Sequence, residues 1–335
     1  MNYNLSQETF FVSEIFNPKL DEYGKYNYYL IEREGMSHKK MCSFLPRDAA
    51  FCGIKDKHAS IKQWFSSKER IEDIQVEGLK VTFKGCANER IYVGMHKGNL
   101  FRVIIELSKP EENNIKKFRA KKELVCNYFG EQRFSEKNLK VAELLEEAKY
   151  ESALKVFLCE ETKMDSERSR KMREIISENW GKWREIAEHD ELKETRKRKV
   201  FDYLSENKEK FREAFSYLEP KSVGIVVKTA QAMRFNLELN KIAREKKPKN
   251  FEAQISGHTL AFGANKAMKR FIVIDPTEFE KSFRKTPLQR RTFFMAQKFK
   301  VKKSEEENKQ IIEFELGTGQ YATVFLKYLQ KWVEN

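Results

Sequence analysis

The distribution of proline and glycine constrains the fold of this 335-residue chain more than any other feature. There is no proline between Pro110 and Pro220, and after Gly130 the only glycine before Gly224 is Gly181. Apolar residues recur within this span at intervals of three and four, for example at 139, 142 and 145 and at 172, 176 and 180. Such spacing is typical of amphipathic helices, so the middle of the chain is predicted to be a helical block.

Short runs of β-branched and aromatic residues precede and follow the helical block. These runs lie at 10–12, 28–31, 79–83, 91–93, 101–105, 298–301 and 311–316. Runs of this kind, separated by glycines and turns, predict strands, and the spacing over 321–332 predicts a last amphipathic helix. The order of strands, helices and strands predicts an α+β fold in which a discontinuous domain with a mixed sheet carries a mostly helical insertion.

The composition favours a folded protein that binds a polyanion. Hydrophobic residues make up 40% of the chain and aromatic residues 13%, which is enough apolar material for a core. The formal net charge is +14, and lysine and arginine can displace counterions from phosphate groups. A lysine-rich, solvated surface would explain the same charge equally well.

Cysteine usage and apolar runs limit the class of protein. None of the five cysteines forms a C-x-x-C pair and their number is odd, so neither a zinc site nor a disulfide framework is predicted. The first residues lack the charged and apolar regions of a signal peptide, and no apolar run approaches membrane-spanning length. We therefore expect a cytoplasmic protein without a membrane partner.

Three short strings are too specific to be accidents of a basic composition. They are GIKDKHA at 53–59, closed by QWFS at 63–66, then HKGNLF at 96–101 and NYFGEQRF at 127–134. In order and spacing they resemble the signatures of the TruD family of pseudouridine synthases. The strings FFVSE at 10–14 and GTGQYATV at 317–324 are similar to two further elements of that family.

The resemblance implies both a fold and a reaction. It implies a catalytic pseudouridine synthase domain formed by residues 1–123 and 292–335, and a TruD-specific insertion domain formed by residues 124–291. The family isomerises a uridine within RNA through one aspartate, with no metal and no cofactor, and Asp56 matches that aspartate. The implied substrate is tRNA rather than DNA, and the implied target is the uridine at position thirteen.

The residues around Asp56 suit this role. Lys55 and Lys57 flank the carboxylate and favour its ionised form at neutral pH. A carboxylate can act as a base or as a nucleophile at the sugar or the base of a nucleotide. Alone, a Lys-Asp-Lys sequence is more often a turn at the surface, but the two downstream motifs favour the catalytic interpretation.

The resemblance also implies a pocket for a uridine turned out of the RNA stack, formed by Phe10, Asn99, Phe101 and Tyr321. An extracted base needs apolar faces around it, and an amide can donate to and accept from the edge of uracil. As isolated residues, the three aromatics are more often part of a core. Asn99 also follows Gly98, and this dipeptide is typical of a hairpin turn.

Several basic residues are candidates for RNA contacts: Lys55, Lys57, Lys97, Arg133, Arg290 and Arg291. For the string at 127–134 we favour a structural corner, in which Asn127 caps and the aromatic residues pack. Arg133 would then make a secondary contact with RNA.

The sequence departs from the family pattern at three positions. Asn4 stands where the family usually has lysine, Ile61 where it has threonine, and Ser135 where it has glycine. If a cation is needed near the aspartate, Lys55, Lys57 or Lys97 would supply it.

Two alternative functions stay open at this point. One is the same isomerisation at another RNA site. The other is a non-catalytic RNA-binding protein on the same scaffold. The presence of Asp56 favours an enzyme, because a binding module gains nothing from a carboxylate that faces RNA phosphates. The sequence leaves the oligomeric state open.

Overall fold

The structure is a computed structural model that describes residues 1–55, 58–131, 134–162, 165–245, 253–255, 258–260, 271–283, 287–306 and 308–335. Asp56 and Lys57, as well as Gln132 and Arg133 of the string at 127–134, lie outside these residues. The chain divides into two compact units. The sheet unit comprises Met1–Asn127, Lys247–Met268 and Phe293–Asn335, and the helical unit comprises Tyr128–Lys246 and Lys269–Thr292.

The strands are numbered in chain order. They are β1 (Phe10–Ile15), β2 (Tyr26–Arg33), β3 (Ala50–Phe51), β4 (Ser60–Ser67), β5 (Ile74–Val76), β6 (Leu79–Ala87), β7 (Gly98–Glu106), β8 (Val125–Cys126), β9 (Ala253–Ile255), β10 (His258–Leu260), β11 (Phe271–Ile274), β12 (Leu288–Arg291), β13 (Phe293–Phe294), β14 (Gln297–Lys303) and β15 (Lys309–Gly317).

The helices are numbered in the same way. They are α1 (His38–Cys42), α2 (Lys109–Lys117), α3 (Glu136–Glu146), α4 (Tyr150–Cys159), α5 (Glu167–Glu178), α6 (Trp183–Glu188), α7 (Asp190–Lys193), α8 (Arg198–Glu206), α9 (Phe211–Ala214), α10 (Pro220–Glu245), α11 (Glu278–Ser282) and α12 (Ala322–Glu334). None of these described helices combines the length and the hydropathy needed to cross a membrane.

A mixed sheet dominates the sheet unit. In the described part of the chain it has nine strands in the order β14-β15-β7-β1-β4-β2-β6-β5, and β3 also pairs with β4. Strands β1 and β4 run parallel, whereas β1 and β7 as well as β7 and β15 run antiparallel. The outermost position next to β6 belongs to the short strand β5.

At β1 and β15, one face of this sheet is buried. Alternate residues of β1 and β15 are buried, as expected for strands with a single covered face. On β15, Phe314 packs against Phe325 of α12, with ring centroids 4.5 Å apart. The next layer of the same stack is Phe101 on β7, whose ring centroid is 5.4 Å from that of Phe314. The amphipathic helix α12 therefore covers the apolar side of the central strands.

The helical unit has its own hydrophobic core. Buried residues from α3 to α11 form one cluster. Aromatic rings lie inside it: Phe215 meets Phe279 edge to face at 5.3 Å, and Trp183 stacks on Phe201 at 6.4 Å. The scarcity of glycine and proline in this part of the sequence allows these helices to form, because both residues destabilise a helix interior.

The predicted α+β fold with its mixed sheet and helical block is confirmed, but one predicted strand is wrong. Residues 91–93 form a loop between β6 and β7. Ile91 is buried, whereas Tyr92 and Val93 are 57% and 82% exposed. The chain turns at Gly94, which has a φ of +89°, a conformation that glycine adopts at little cost. The β-branched and aromatic composition predicted a strand where only one of three side chains enters the core.

Candidate active site

Four of the sequence motifs meet at one end of the central strands. Glu14 on β1 is the cross-strand partner of Asn99 on β7, and Gly98 is the partner of Gly317 on β15. On the other side of β1, the backbone N–H of Trp64 donates to Glu14 Oε2 at 2.8 Å. Strand pairing therefore brings together segments that are up to three hundred residues apart in the sequence.

The meeting of β7 and β15 requires glycine at position 98. A Cβ atom there would lie 2.1 Å from the carbonyl oxygen of Leu316 and 3.0 Å from the Cα of Gly317. No side chain fits at these distances. Just before the strand, the His96 carbonyl accepts a hydrogen bond from Thr318 Oγ1 at 2.9 Å. The Gly-Asn string and the Gly-Thr-Gly string thus hold each other in place.

A buried ion pair lies at this strand end. Lys55 Nζ is 2.6 Å from Glu14 Oε1, and the two side chains are 9% and 0% exposed. Both carboxylate oxygens of Glu14 are occupied, one by Lys55 and the other by the Trp64 amide. A buried carboxylate needs such partners, because an unpaired buried charge is costly.

The backbone of Lys55 is held as well. Arg33, at the end of β2, is only 2% exposed and donates from Nη2 to the Lys55 carbonyl at 2.9 Å. Its Nη1 atom donates to the carbonyl of Met36. Lys55 is therefore anchored to β1 through its side chain and to β2 through its carbonyl. The next residue in the sequence is Asp56, one peptide away.

Cys52 and His96 complete the surroundings of Glu14. The ligand-type atoms of these three buried residues lie within 4.8 Å of one another. Burial, with a contribution from Glu14, raises the pKa of the Cys52 thiol to about 12. Burial and the Lys55 ammonium lower the pKa of His96, although Glu14 opposes this. A protonated thiol and a carboxylate already neutralised by lysine do not favour a metal ion at this cluster.

Several buried polar atoms here have no hydrogen-bond partner among the described residues. They are both amide atoms of Gln63, Nδ1 of His96 and Oδ1 of Asn99. Gln63 follows Lys62, the β4 partner of Ser13, and so lies beside Glu14 on the neighbouring strand. We call Glu14, Lys55, Gln63, His96 and Asn99 the strand-end cluster. Native proteins satisfy most buried polar atoms, so such a concentration is typical of a site that binds water or a ligand.

The predicted pocket residues occupy different environments. Phe10 and Phe101 are each 6% exposed and stack on one another, with centroids 6.0 Å apart and planes 9° apart. Their packing is that of a core. Asn99 is part of β7 and not the tip of a hairpin. Tyr321 is half-buried and occupies the N-cap position of α12, just after the Gly-Thr-Gly string.

The described basic candidates divide into two groups. Lys97 and Arg291 are exposed, and Arg291 also lies over the ring of Phe271 at 5.6 Å. Lys55 is paired with Glu14, and Arg290 lies over the ring of Phe129 at 4.1 Å while it donates to the Tyr128 carbonyl at 3.3 Å. The internal contacts of the second group favour a role in positioning.

Two residues of the string at 127–134, Tyr128 and Phe129, pack within the helical unit. The Tyr128 hydroxyl donates to Asn240 Oδ1 at 2.6 Å. The amide of Asn236 binds both backbone groups of Phe129, at 2.9 and 3.1 Å. Phe129 also meets Phe235 edge to face at 5.5 Å. These contacts to α10 favour the structural interpretation for Tyr128 and Phe129.

Sequence reasoning did not single out Glu14, Arg33 or Gln63 as members of the site. Glu14 and Gln63 lie inside quoted motifs, and their charge or amide within an apolar alternation is a usable signal of a buried polar role. Arg33 belongs to the polar run Glu32-Arg33-Glu34, where nothing in the sequence distinguishes it.

Comparison with known proteins identifies the family. The family model described as "tRNA pseudouridine synthase D (TruD)" matches residues 4–286. The chain belongs to the TruD family. The family's reaction, the isomerisation of uridine to pseudouridine in tRNA, makes this TruD member an isomerase with an RNA substrate, as the motifs predict.

Individual relatives agree with the family model. The tRNA pseudouridine synthase D of Aquifex aeolicus is 29% identical over 198 residues, which cover 52% of this chain and 49% of that protein. That of a Thermus thermophilus strain is 31% identical over 144 residues, covering 38% and 40%. A Methanococcus maripaludis protein of the same family name is 25% identical over 267 residues, covering 74% and 68%. The chain thus aligns with half or less of the two bacterial proteins.

A solved structure supports the fold. The crystal structure of a TruD protein from Methanosarcina mazei has a TM-score of 0.63 to this chain at 20% identity. The match covers 98% of this chain and 92% of the other. The TruD architecture therefore extends over nearly all of the sequence.

Proposed function

We propose that this TruD member converts the uridine at position thirteen of tRNA to pseudouridine, with Asp56 as its catalytic residue. The observation that carries the proposal is the meeting of the family motifs at one strand end, where Glu14 and Arg33 hold Lys55. The residue that follows Lys55 is the aspartate of the family motif.

The reaction needs only groups that the chain provides. The Asp56 carboxylate attacks C1′ of the uridine, and the bond between N1 and C1′ breaks. The released base rotates, and C5 then joins C1′ while the bond between C1′ and the carboxylate breaks, which frees Asp56 again. The proton on C5 then leaves and N1 gains one, so that product and substrate have the same atoms. No electrons or phosphoryl groups are transferred, and a carboxylate can act as the base or nucleophile that such steps need.

In the proposed pocket, Asn99 and Tyr321 would contact the uracil. The Asn99 amide oxygen lacks a partner among the described residues and can accept from the N3–H group of the base. Tyr321 is half-buried, so its ring can form one apolar wall. Phe10 and Phe101 would support this pocket from below, since their stacked rings are almost fully buried.

We assign catalysis to the domain formed by residues 1–123 and 292–335, and further RNA contacts to the insertion 124–291. Lys57, Lys97, Arg133 and Arg291 are the proposed phosphate contacts. Lys55 and Arg290 have internal partners and are proposed to position their neighbours instead. Because tRNA is the proposed substrate, we place the enzyme in the cytoplasm.

The test is to incubate the purified protein with unmodified tRNA, without cofactor and in the presence of EDTA with enough added Mg²⁺ to fold the RNA. Pseudouridine at position thirteen is the expected product, and tRNA affinity should fall linearly with salt on logarithmic axes. Pseudouridine at another position would support the reaction but change its target. Binding without any product would favour the RNA-binding alternative.

A further inference from the structure

Two neighbouring loops of the sheet unit present large apolar side chains to solvent. Ile54 is 77% exposed, Tyr92 57% and Val93 82%. Among the large hydrophobic residues that the structure describes, only Tyr23 is more exposed than Val93 and Ile54. Single exposed apolar residues are normal at a protein surface, but a group of them on joined loops is typical of an interaction site.

The two loops are tied together. The Gly94 N–H donates to the Cys52 carbonyl at 2.8 Å, which links the residue after Val93 to the residue two before Ile54. We call Ile54, Tyr92 and Val93 the apolar rim. In the sequence, Ile54 also lies two residues before Asp56.

Hydrogen bonds and packing fix the backbone of the loops that carry the apolar rim. Ile91 is buried and its N–H donates to Ser66 Oγ at 2.9 Å. At the other end of the loop, the Lys97 N–H donates to the Ile15 carbonyl at 3.0 Å. Ile91 and Cys52 pack in one cluster with Tyr28. The chain therefore pays the entropic cost of ordering these residues during folding rather than on binding.

The chemistry of the rim fits nucleobases. The substrate is an RNA, and a uridine can react only after it leaves the stack, so its neighbours lose a stacking partner. Apolar and aromatic side chains can fill such a gap, and aromatic rings stack on any base. Exposed basic residues, Arg90 and Lys97, flank the loop and can contact the adjacent phosphates.

We propose that the apolar rim is a second RNA subsite, in which Tyr92 stacks on a base next to the target uridine while Ile54 and Val93 fill the vacated space. This subsite rests on the proposed function, since it needs an RNA substrate whose uridine is turned out. It differs from the uracil pocket in its residues and in the bases that it contacts.

The decisive variants are Tyr92→Ala and Tyr92→Phe. Loss of the ring should lower kcat/KM for tRNA by about 10- to 100-fold without a change in melting temperature, because an exposed ring contributes little to folding. Tyr92→Phe keeps the stacking face and should retain near wild-type activity. Val93→Ser should also lower kcat/KM, and Val76→Ser is its matched control and should not, because Val76 is an exposed apolar residue (38%) on the edge strand β5.

A direct measurement uses RNA with 2-aminopurine in place of the base beside the modified uridine. The inactive Asp56→Asn protein should change the fluorescence of this base, and the same protein with Tyr92→Ala should not. An unchanged signal with the intact rim, or equal activity losses for Tyr92→Phe and Tyr92→Ala, would overturn the subsite. So would a dimer that dissociates when the rim is replaced, because it would assign the rim to a second copy of the chain. A wild-type protein that binds RNA but forms no pseudouridine would instead refute the proposed function.

Discussion

The strand-end cluster and the string from Tyr128 to Phe134 come from equally specific motifs, yet their described polar groups differ in hydrogen bonding. In the string, Asn236 satisfies both backbone groups of Phe129, and Asn240 accepts from Tyr128. In the cluster, the Gln63 amide and Asn99 Oδ1 are buried without a partner among the described residues. Among the residues that the structure describes, Tyr128 and Phe129 have their hydrogen-bond partners within the fold, whereas the cluster has hydrogen-bonding capacity left for another molecule.

This difference distinguishes two reasons why a segment can have a family-specific sequence. A string whose polar groups are satisfied by its own fold can be specific because it fixes a corner of the structure. A cluster with buried charge and unused hydrogen-bonding capacity destabilises the fold, so its residues need a functional reason. Variants of the two regions should therefore affect different quantities.

The largest effect is expected for Asp56→Asn. The amide keeps the shape of the side chain but cannot act as a nucleophile or base, so turnover should be abolished while RNA binding is retained. Pseudouridine formation and tRNA affinity measured on the same preparation test this. Asp202→Asn, an exposed position on α8, is the control. Substantial turnover by the Asp56 variant would refute the catalytic assignment.

The next effect concerns the buried Glu14–Lys55 pair. Glu14→Gln alone should lower stability by about 3–5 kcal/mol, because it leaves Lys55 charged and unpaired. The double variant Glu14→Gln/Lys55→Met should recover much of that stability. Its kcat should stay about 100-fold below that of the wild type, because Lys55, the residue before Asp56, loses its anchor on β1. Thermal melts and kcat, measured together, separate the two quantities.

The exposed pair Lys62–Glu32 on the same sheet is the matched control. Its atoms are 3.6 Å apart and both side chains are nearly half exposed. Its neutralisation should change stability by less than about 1 kcal/mol and leave kcat unaltered. If the Glu14/Lys55 double variant were both stable and fully active, the positioning role would be wrong.

A smaller effect, and one confined to stability, is expected for the string. Asn236→Ala removes two hydrogen bonds to Phe129 and should destabilise the protein by about 1–3 kcal/mol with kcat unchanged. Asn207→Ala, which removes one bond to the nearby Tyr203 carbonyl, should have a smaller effect on stability. A fall in kcat without a fall in melting temperature would mean that the string acts on the substrate.

The smallest effect is a dependence of stability on pH. Burial and Lys55 lower the pKa of His96 below its ordinary value, so the unfolded chain binds more protons there than the folded chain. Stability should therefore fall as the pH drops below about 6.5, and the loss should end once the pH is below the folded pKa. His96→Gln should reduce this slope by at most about 1.4 kcal/mol per pH unit.

His38 provides the comparison for this measurement. Burial and Arg33 also lower its pKa, so His38→Gln should reduce the same slope. Because His38 lies outside the strand-end cluster, its replacement should leave kcat unaltered. An unchanged pH slope in the His96 variant would show that this imidazole titrates normally.

Local sequence predicted the secondary-structure elements better than it predicted which of their side chains would be buried. The runs at 10–12, 101–105 and 311–316 became β1, β7 and β15 because their alternating residues face a single core. Residues 91–93 have the same composition, but Gly94 turns the chain before a second side chain can enter that core. Composition reports what a segment can bury, and only the fold decides what it does bury.

The same limit applies to the site. The family motifs indicated Asp56 and Asn99 from adjacent residues alone. Glu14 and Lys55, however, are 41 residues apart, and Arg33 reaches Lys55 across 22 residues. Such pairs form only through strand order, which the sequence does not state. The ambiguity between pocket and core for Phe101 had the same cause, since it depended on the position of Phe314.

The pairing of Gly98 on β7 with Gly317 on β15 also determines which parts of the chain can fold first. The helical unit contains contacts between successive helices, such as α3 with α4, which need little loop closure. Strands β7 and β15 must instead find each other across the whole intervening segment, and such non-local pairings slow folding. During refolding, helical circular dichroism should therefore return before catalytic activity. The strand end that carries the strand-end cluster would therefore form in one of the last steps of folding.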